Sequence, residues 1–375
     1  MMGRPWGVLT GVRPTKKARK LLSQGISYAN LPKILRKEYK LHKPKINLLL
    51  ATMQNQEIVQ CESLVDFYVN IPICPTRCSY CSFISAELKY VEKILPDYLD
   101  VLVQEIHEAK EIISQNNLKV RSVYVGGGTP TVLSATQLEQ ILMELDFGKV
   151  EFTVECGRPD TITKEKLLVL KKYGVSRISI NPQTFSEKTL QKIQRKHTAQ
   201  DVFDAFALAK SLGFSINMDL IAGFEGENFA TFKKSLGKAM DLKPDNLTVH
   251  TLSIKSGSCL QGQRVTNKTV SKMVNFASKK LLRAGYVPYY LYRQKNQLGN
   301  LENIGYTRPG KQCIFNVDSM EETVSIMACG ANAISKMVDH KNQKITRAAN
   351  AKFLPDYINR IKEEINKKIN LFQNK

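Results

Sequence analysis

Val65-Asp66-Phe67-Tyr68-Val69-Asn70-Ile71-Pro72-Ile73-Cys74-Pro75-Thr76-Arg77-Cys78-Ser79-Tyr80-Cys81 is the stretch on which the reading of this chain turns. Its first seven residues mix apolar and β-favouring side chains and predict a strand. The strand runs straight into a loop with cysteines spaced C-x3-C-x2-C. Spacings this short let one loop bring three thiolates onto a single centre, and soft thiolates suit zinc or an iron–sulfur cluster. A structural zinc site takes four closed ligands. The next Cys or His after Cys81 is His107, which sits in the middle of an expected helix. Three thiolates on a four-iron cube leave one iron open to a reactant, so the open cluster is the reading adopted. Zinc with a distant fourth ligand, or three incidental core cysteines, are the alternatives.

Outward from this loop, strand-like and helical stretches alternate. A helix is expected from Pro96 to Ile113, with Leu99, Leu102, Val103 and Ile106 at helical spacing. Strand Ser122–Val125, helix Thr136–Leu145, strand Phe152–Glu155, helix Lys164–Tyr173 and strand Arg177–Ile180 follow. Then come helix Asp201–Leu212 stopping at Gly213, strand Ser215–Leu220, helix Ala230–Asp241 and strand Asn246–Thr251. About six βα units of this kind imply parallel strands joined by right-handed crossovers. Six is fewer than the eight of a closed barrel. The fold class is therefore α/β, a full or partial (β/α) barrel of TIM type over 61–255, with chemistry expected at the C-terminal strand ends. Residues 1–60 read as a basic helical N-terminal segment. Residues 256–375 read as an α+β accessory region with a helix near Ser271–Ala284, a Tyr-rich segment from Val287 to Arg293, and a charged helix toward the end.

Composition bounds the rest. A hydrophobic content of 43% and a charged fraction of 24% are ordinary for a globular protein of 375 residues. No apolar run is long enough to span a bilayer and no apolar signal core follows the basic N-terminus, so a cytoplasmic location is expected. Eight cysteines without an even framework favour a metal or redox site over disulfides. The formal charge of +21 fits a polyanionic partner or simply a solvated basic surface. No RNA-binding module or aromatic–basic interleaving accompanies it, so nucleic acid is not the expected partner.

Other residues gather at the expected strand ends. Gly126-Gly127-Gly128-Thr129-Pro130-Thr131 follows the second strand, where bare glycines let backbone approach a ligand. Glu155, Gln183, Arg195 and Asp219 each fall at or soon after a strand end. Singly each reads as a cap, a loop solvation residue or a surface pair; together they converge on one barrel mouth. The cysteine spacing after the first strand, with Tyr80 before the third cysteine, resembles the radical S-adenosylmethionine (SAM) superfamily. That resemblance implies a partial (β/α)6 barrel and a [4Fe–4S] cluster on Cys74, Cys78 and Cys81. It also implies reductive cleavage of SAM to methionine and a 5′-deoxyadenosyl radical that abstracts hydrogen.

Tyr68-Val69-Asn70-Ile71-Pro72 before the cysteines is similar to the oxygen-independent coproporphyrinogen III oxidase branch. This implies Tyr68 near the cluster and SAM, Tyr80 at the adenine, and Gly127, Gly128 and Thr129 at the methionyl part. Glu155, Gln183, Arg195 and Asp219 then line the remaining SAM contacts. Two flanking stretches, from Trp6-Gly7-Val8 to Lys16 and from Tyr289 to Asn296 with Gly299 to Tyr306, look like HemZ-type coproporphyrinogen dehydrogenases of low-GC Gram-positive bacteria. The resemblance implies a radical SAM oxidoreductase of porphyrin and haem biosynthesis. It would decarboxylate two propionates of coproporphyrinogen III, a tetrapyrrole, to give protoporphyrinogen IX, with an electron donor such as flavodoxin or ferredoxin. The sequence departs from that branch at Asn70, where its oxidases carry histidine, at Phe83, where they carry a further cysteine, and in beginning almost at Trp6 without the group's further N-terminal domain. A haem-binding chaperone using His250 or His197, or a radical SAM enzyme modifying tRNA, are the alternatives. Arg293 is a candidate for meeting substrate carboxylates.

Overall fold

The computed structural model describes residues 5–83, 85–254 and 266–373. Cys259 and the expected boundary at 255/256 lie outside them. The chain divides into two compact units, each discontinuous in sequence and each drawing on more than one of the segments 1–60, 61–255 and 256–375. One comprises Met1–Ile58, Pro182–Ile193 and Asn217–Glu321; the other comprises Val59–Asn181, Gln194–Ile216 and Glu322–Lys375.

All six expected parallel strands are present: β1 (Leu64–Ile71), β2 (Lys119–Gly127), β3 (Glu151–Glu155), β4 (Arg177–Ser179), β5 (Ser215–Ala222) and β6 (Asn246–Thr251). Five further strands follow: β7 (Val287–Tyr292), β8 (Asn303–Thr307), β9 (Ser325–Cys329), β10 (Ile334–Asp339) and β11 (Lys344–Ala349). In the second unit β1, β2, β3 and β4 pair in succession, all parallel. On its other edge β1 pairs in parallel with β9, in register Val65↔Ser325 to Val69↔Cys329, and β10 and β11 continue antiparallel. In the first unit β5 pairs in parallel with β6, beside which β8 and then β7 run antiparallel.

The connecting helices form for reasons visible in their residues. Leu95–Gln115 takes a proline in its first turn and buries Leu95, Tyr98, Leu99, Leu102, Ile106, Ala109, Ile112 and Ile113 as one apolar stripe. Ala199–Ser211 opens on a reciprocal capping box between Thr198 and Asp201, and the chain leaves it through Gly213 at φ +75°.

One polar residue interrupts the Leu95–Gln115 stripe. Glu105 is fully buried and accepts from Gly330 N (2.6 Å), Tyr357 Oη (2.7 Å) and Asn350 Nδ2 (2.7 Å), and it pairs with the buried ammonium of Lys368. A buried ion pair with its remaining lone pairs satisfied is tolerated in a core. It ties the helix Ile361–Gln373 and the turn after β9 to the helix Leu95–Gln115.

The two flanking stretches singled out in the sequence meet in the first unit. Trp6 Nε1 donates to Glu302 Oε2 at 2.7 Å, and Glu302 also pairs with Lys45. Arg293, the candidate for substrate carboxylates, is engaged inside the fold rather than presented at a surface. It is buried, with Nη1 donating to Leu9 O (2.9 Å), Nη2 to Asn300 Oδ1 (2.5 Å), and its guanidinium over the Trp6 ring. Its hydrogen bonds hold the N-terminal segment.

Candidate active site

The cysteine loop leaves the C-terminal end of β1. Ile73 and Cys74 pair with Ala86 and Glu87, and Ala86 N donates to Pro72 O at 2.8 Å, so the segment between is closed at its base. Within it Cys81 N donates to Cys78 O at 3.0 Å, forming the turn that carries the second and third thiols. All three cysteines are half-buried. Burial raises the Cys74 thiol pKa against opposing hydrogen bonds from Thr129 and Ser85, and pushes that of Cys81 up to about 11. The three thiols feel one another electrostatically. Even so, among the described residues no three His, Cys, Asp or Glu side chains form a ready-made metal-holding set.

The glycine loop lies beside this segment because of strand register: Asn70 pairs with Gly126, and Ile71 with Gly127. Gly127 has φ +110°, a region that side chains other than glycine rarely adopt. A Cβ on Gly128 would stand 2.5 Å from Ile73 O. Thr129 Oγ1 then reaches Cys74 Sγ at 3.6 Å.

Glu155 ends β3 and is fixed by Tyr124 Oη (2.6 Å) and Gly127 N (3.3 Å). Tyr68 donates to Asn70 Oδ1 (2.9 Å), and Asn70 Nδ2 donates to Ala331 O (2.5 Å). Burial raises the phenol pKa of both Tyr68 and Tyr80, so both remain neutral donors near pH 7. Arg195 reaches Tyr80 Oη (2.9 Å), Gly157 O (2.6 Å) and Asn181 O (2.8 Å). The buried oxygens Ser79 Oγ and Asn181 Oδ1 have no hydrogen-bond partner among the described residues. Unpaired buried acceptors of this kind are costly unless a guest supplies donors.

Gln183 and Asp219 belong to the first unit. Gln183 adopts φ +63°, an uncommon conformation for its type, and its backbone bridges β5 through Gln183 N to Asp219 O and Ile221 N to Gln183 O, both 2.9 Å. Among the described residues its buried Oε1 has no hydrogen-bond partner, and neither has Asn217 Oδ1. Asp219 faces His250 Nε2 at 3.5 Å and accepts from Asn217 Nδ2 at 3.0 Å. Burial works to raise its pKa, but the hydrogen bond and charge of His250, with Asn217 and Thr248, outweigh it and hold the carboxyl below its ordinary range. His250 Nδ1 in turn lies 3.3 Å from Tyr292 Oη. His197 is buried, and its Nδ1 accepts from Arg195 Nε at 3.4 Å.

The expected residues thus fall into two sets, each within one unit. Tyr68, Cys74, Cys78, Tyr80, Cys81, Gly127, Gly128, Thr129, Glu155 and Arg195 lie in the second unit; Gln183 and Asp219, with His250, lie in the first. Sequence reasoning missed Arg158. It is buried in the second unit, where it grips Asp160 through two nitrogens and reaches Thr76 and Cys78. The only available signal was a charged residue wedged in Gly157-Arg158-Pro159 near a strand end.

Comparison with known proteins bears on the same residues. The model of the radical SAM superfamily matches residues 68–239. The oxygen-independent coproporphyrinogen-III oxidase-like protein HemZ of Bacillus subtilis is 40% identical over 97% of this chain and 76% of its own length. The heme chaperone HemW of the same bacterium is 35% identical over half of each chain. The solved structure of coproporphyrinogen III oxidase (HemN) from Escherichia coli superposes with a TM-score of 0.66 at 23% identity, covering 81% of this chain and 70% of that one, which is a likeness of fold. No helix among the described residues is long and apolar enough to cross a membrane.

Proposed function

The chain belongs to the radical SAM superfamily, in its oxygen-independent coproporphyrinogen III oxidase-like branch, and we propose that it decarboxylates two propionate side chains of coproporphyrinogen III. The family works with a [4Fe–4S] cluster and SAM. The observation that carries the proposal is the gathering of Cys74, Cys78 and Cys81 beside Gly127, Glu155 and Arg195 at adjoining strand ends of one unit.

In this reading Cys74, Cys78 and Cys81 hold the cluster. Binding draws the thiols together and releases their protons, since thiolates are the ligands. When bound, the cluster and SAM supply hydrogen-atom abstraction. The protein's residues orient the guest. Gly127, Gly128 and Thr129 approach its methionyl part through bare backbone, with Tyr68 close by. Glu155, held by Tyr124 and Gly127, keeps a carboxylate aimed at donors. Tyr80 offers its ring to adenine while Arg195 fixes its phenol. Gln183 Oε1 and the ionised Asp219 carboxylate accept from hydroxyl groups. Each propionate loses a hydrogen atom from its β-carbon, CO2, and one electron to an acceptor, leaving a vinyl group. The tetracarboxylate substrate suits a chain of net charge +21.

A haem chaperone is the second reading, favoured by the similarity to heme chaperone HemW and by Phe83 standing two residues past Cys81. His250, flanked by Asp219 and Tyr292, would have to leave one of them to bind iron. Anaerobic incubation of reconstituted protein with SAM, dithionite and coproporphyrinogen III tests both. Protoporphyrinogen IX is expected; stoichiometric haem uptake with no product would favour the chaperone. Cys78→Ala is expected to abolish the iron–sulfur absorbance and SAM cleavage, and a variant retaining a full cluster would sink the ligand assignment.

A further inference from the structure

Two guanidinium groups are buried beside the cysteine loop, and among the described residues the carboxylate that answers them is Asp160. Arg158, 3% exposed, holds Asp160 through Nε (2.9 Å to Oδ1) and Nη2 (2.8 Å to Oδ2). Its Nη1 points the other way, to Thr76 O (3.3 Å), Thr76 Oγ1 (3.2 Å) and Cys78 Sγ (3.8 Å). Arg195, 6% exposed, directs its donors to neutral acceptors: Tyr80 Oη, Gly157 O, Asn181 O and His197 Nδ1. Cys78 and Asp160 lie within its electrostatic reach. Buried cations are costly unless balanced, and this pair is balanced by Asp160 only in part. The surplus positive charge faces the middle cysteine of the loop.

We propose that Arg158 is a positioning residue that braces the cysteine loop through Thr76 and Cys78 and, with its incompletely neutralised charge, favours the reduced state of a cluster bound there. The inference rests on the cluster reading above. Three thiolates on a doubly positive [4Fe–4S] core leave one net negative charge, and the electron delivered by an external reductant makes it two. A fixed guanidinium against one of those sulfurs stabilises the second state more than the first, as does a hydrogen bond to sulfur. Asp160 opposes this effect and limits it.

The test uses the full chain, reconstituted anaerobically, with iron and sulfide counted and the midpoint potential read by EPR during a dye-mediated dithionite titration. Arg158→Gln removes the charge and is expected to move the midpoint to more negative potential. Asp160→Asn removes the opposing charge and is expected to move it the other way. Arg158→Lys keeps the charge without the fork, and is expected to hold the midpoint near wild type with lower cluster content. Opposite shifts from the two neutralised neighbours are a signature that a bracing role alone does not produce. Equal midpoints in all fully loaded variants, or shifts of the same sign for Arg158→Gln and Asp160→Asn, would overturn the inference. If Arg158→Gln takes up no cluster, Asp160→Asn at the wild-type potential would overturn it alone. A wild-type chain that takes up no cluster would overturn the cluster reading itself, and is told apart by its iron and sulfide content.

Discussion

Replacing Lys368 by methionine tests the buried charge in the second unit. Lys368 Nζ pairs with Glu105, donates to Asn350 Oδ1 at 2.8 Å, and is 1% exposed. Methionine fills similar volume without the charge, so the change is chiefly electrostatic. Breaking a buried pair by removing one partner costs about 3–5 kcal/mol. Glu105 keeps three donors, from Gly330, Tyr357 and Asn350, which places the loss near the lower end. At about 2–4 °C per kcal/mol for a body of this size, a loss of about 3 kcal/mol lowers the melting temperature by roughly 6–12 °C. The assay is thermal unfolding of wild type, Lys368→Met, Glu105→Gln and the double variant. The double variant should lose less than the sum of the singles, because neither charge is then left unpaired. A Lys368→Met protein that melts within about 2 °C of wild type, less than about 1 kcal/mol, would refute the reasoning.

Three other outcomes are expected. Glu302→Ala strands Lys45 and the Trp6 indole N–H in the core and should cost about 3–5 kcal/mol. Trp6 is the single tryptophan, so a red-shifted emission reports the change. Gly128→Ala drives a methyl against Ile73 O and should cost about 1–3 kcal/mol by overpacking, with weakened SAM binding by calorimetry. Asp219 has a folded pKa below its unfolded value of about 3.9. The stability it contributes is present above that value and is lost as pH falls through the folded pKa. Asp219→Asn should therefore flatten the acid limb of the stability profile; an unchanged limb would count against the His250 contact.

What was legible in the sequence was local. The strands β1 to β6 announce themselves by β-favouring runs bounded by turn residues, and their helices by apolar spacing and caps such as Thr198 with Asp201. The cysteine loop and the glycine loop were legible because each lies in one short stretch. What escaped depends on partners far along the chain. β9, Ser325-Ile326-Met327-Ala328-Cys329, is a brief apolar run with no period, and its place beside β1 follows from tertiary pairing alone. Glu105 interrupts an apolar helix face, and the residue that answers its charge is 263 positions away. Arg293 sits in a Tyr-rich segment that suggested a substrate contact, yet its bonds run to Leu9 and Asn300. Arg158 gave no periodic signal, since its importance comes from where Thr76 and Cys78 fold to meet it.

The pairing of Val65 with Ser325 sets an order of events during synthesis. At ~5–20 residues per second, the ribosome completes the cysteine loop tens of seconds before the strand that flanks β1 emerges. Through that interval β1 offers an unpaired edge, the kind of surface on which nascent chains misassociate. The turn after β9 that receives Asn70 is also still unmade. A frameshift past residue 320 would therefore leave that edge of β1 open for good and take away the carbonyl that receives Asn70, the residue paired with the start of the glycine loop.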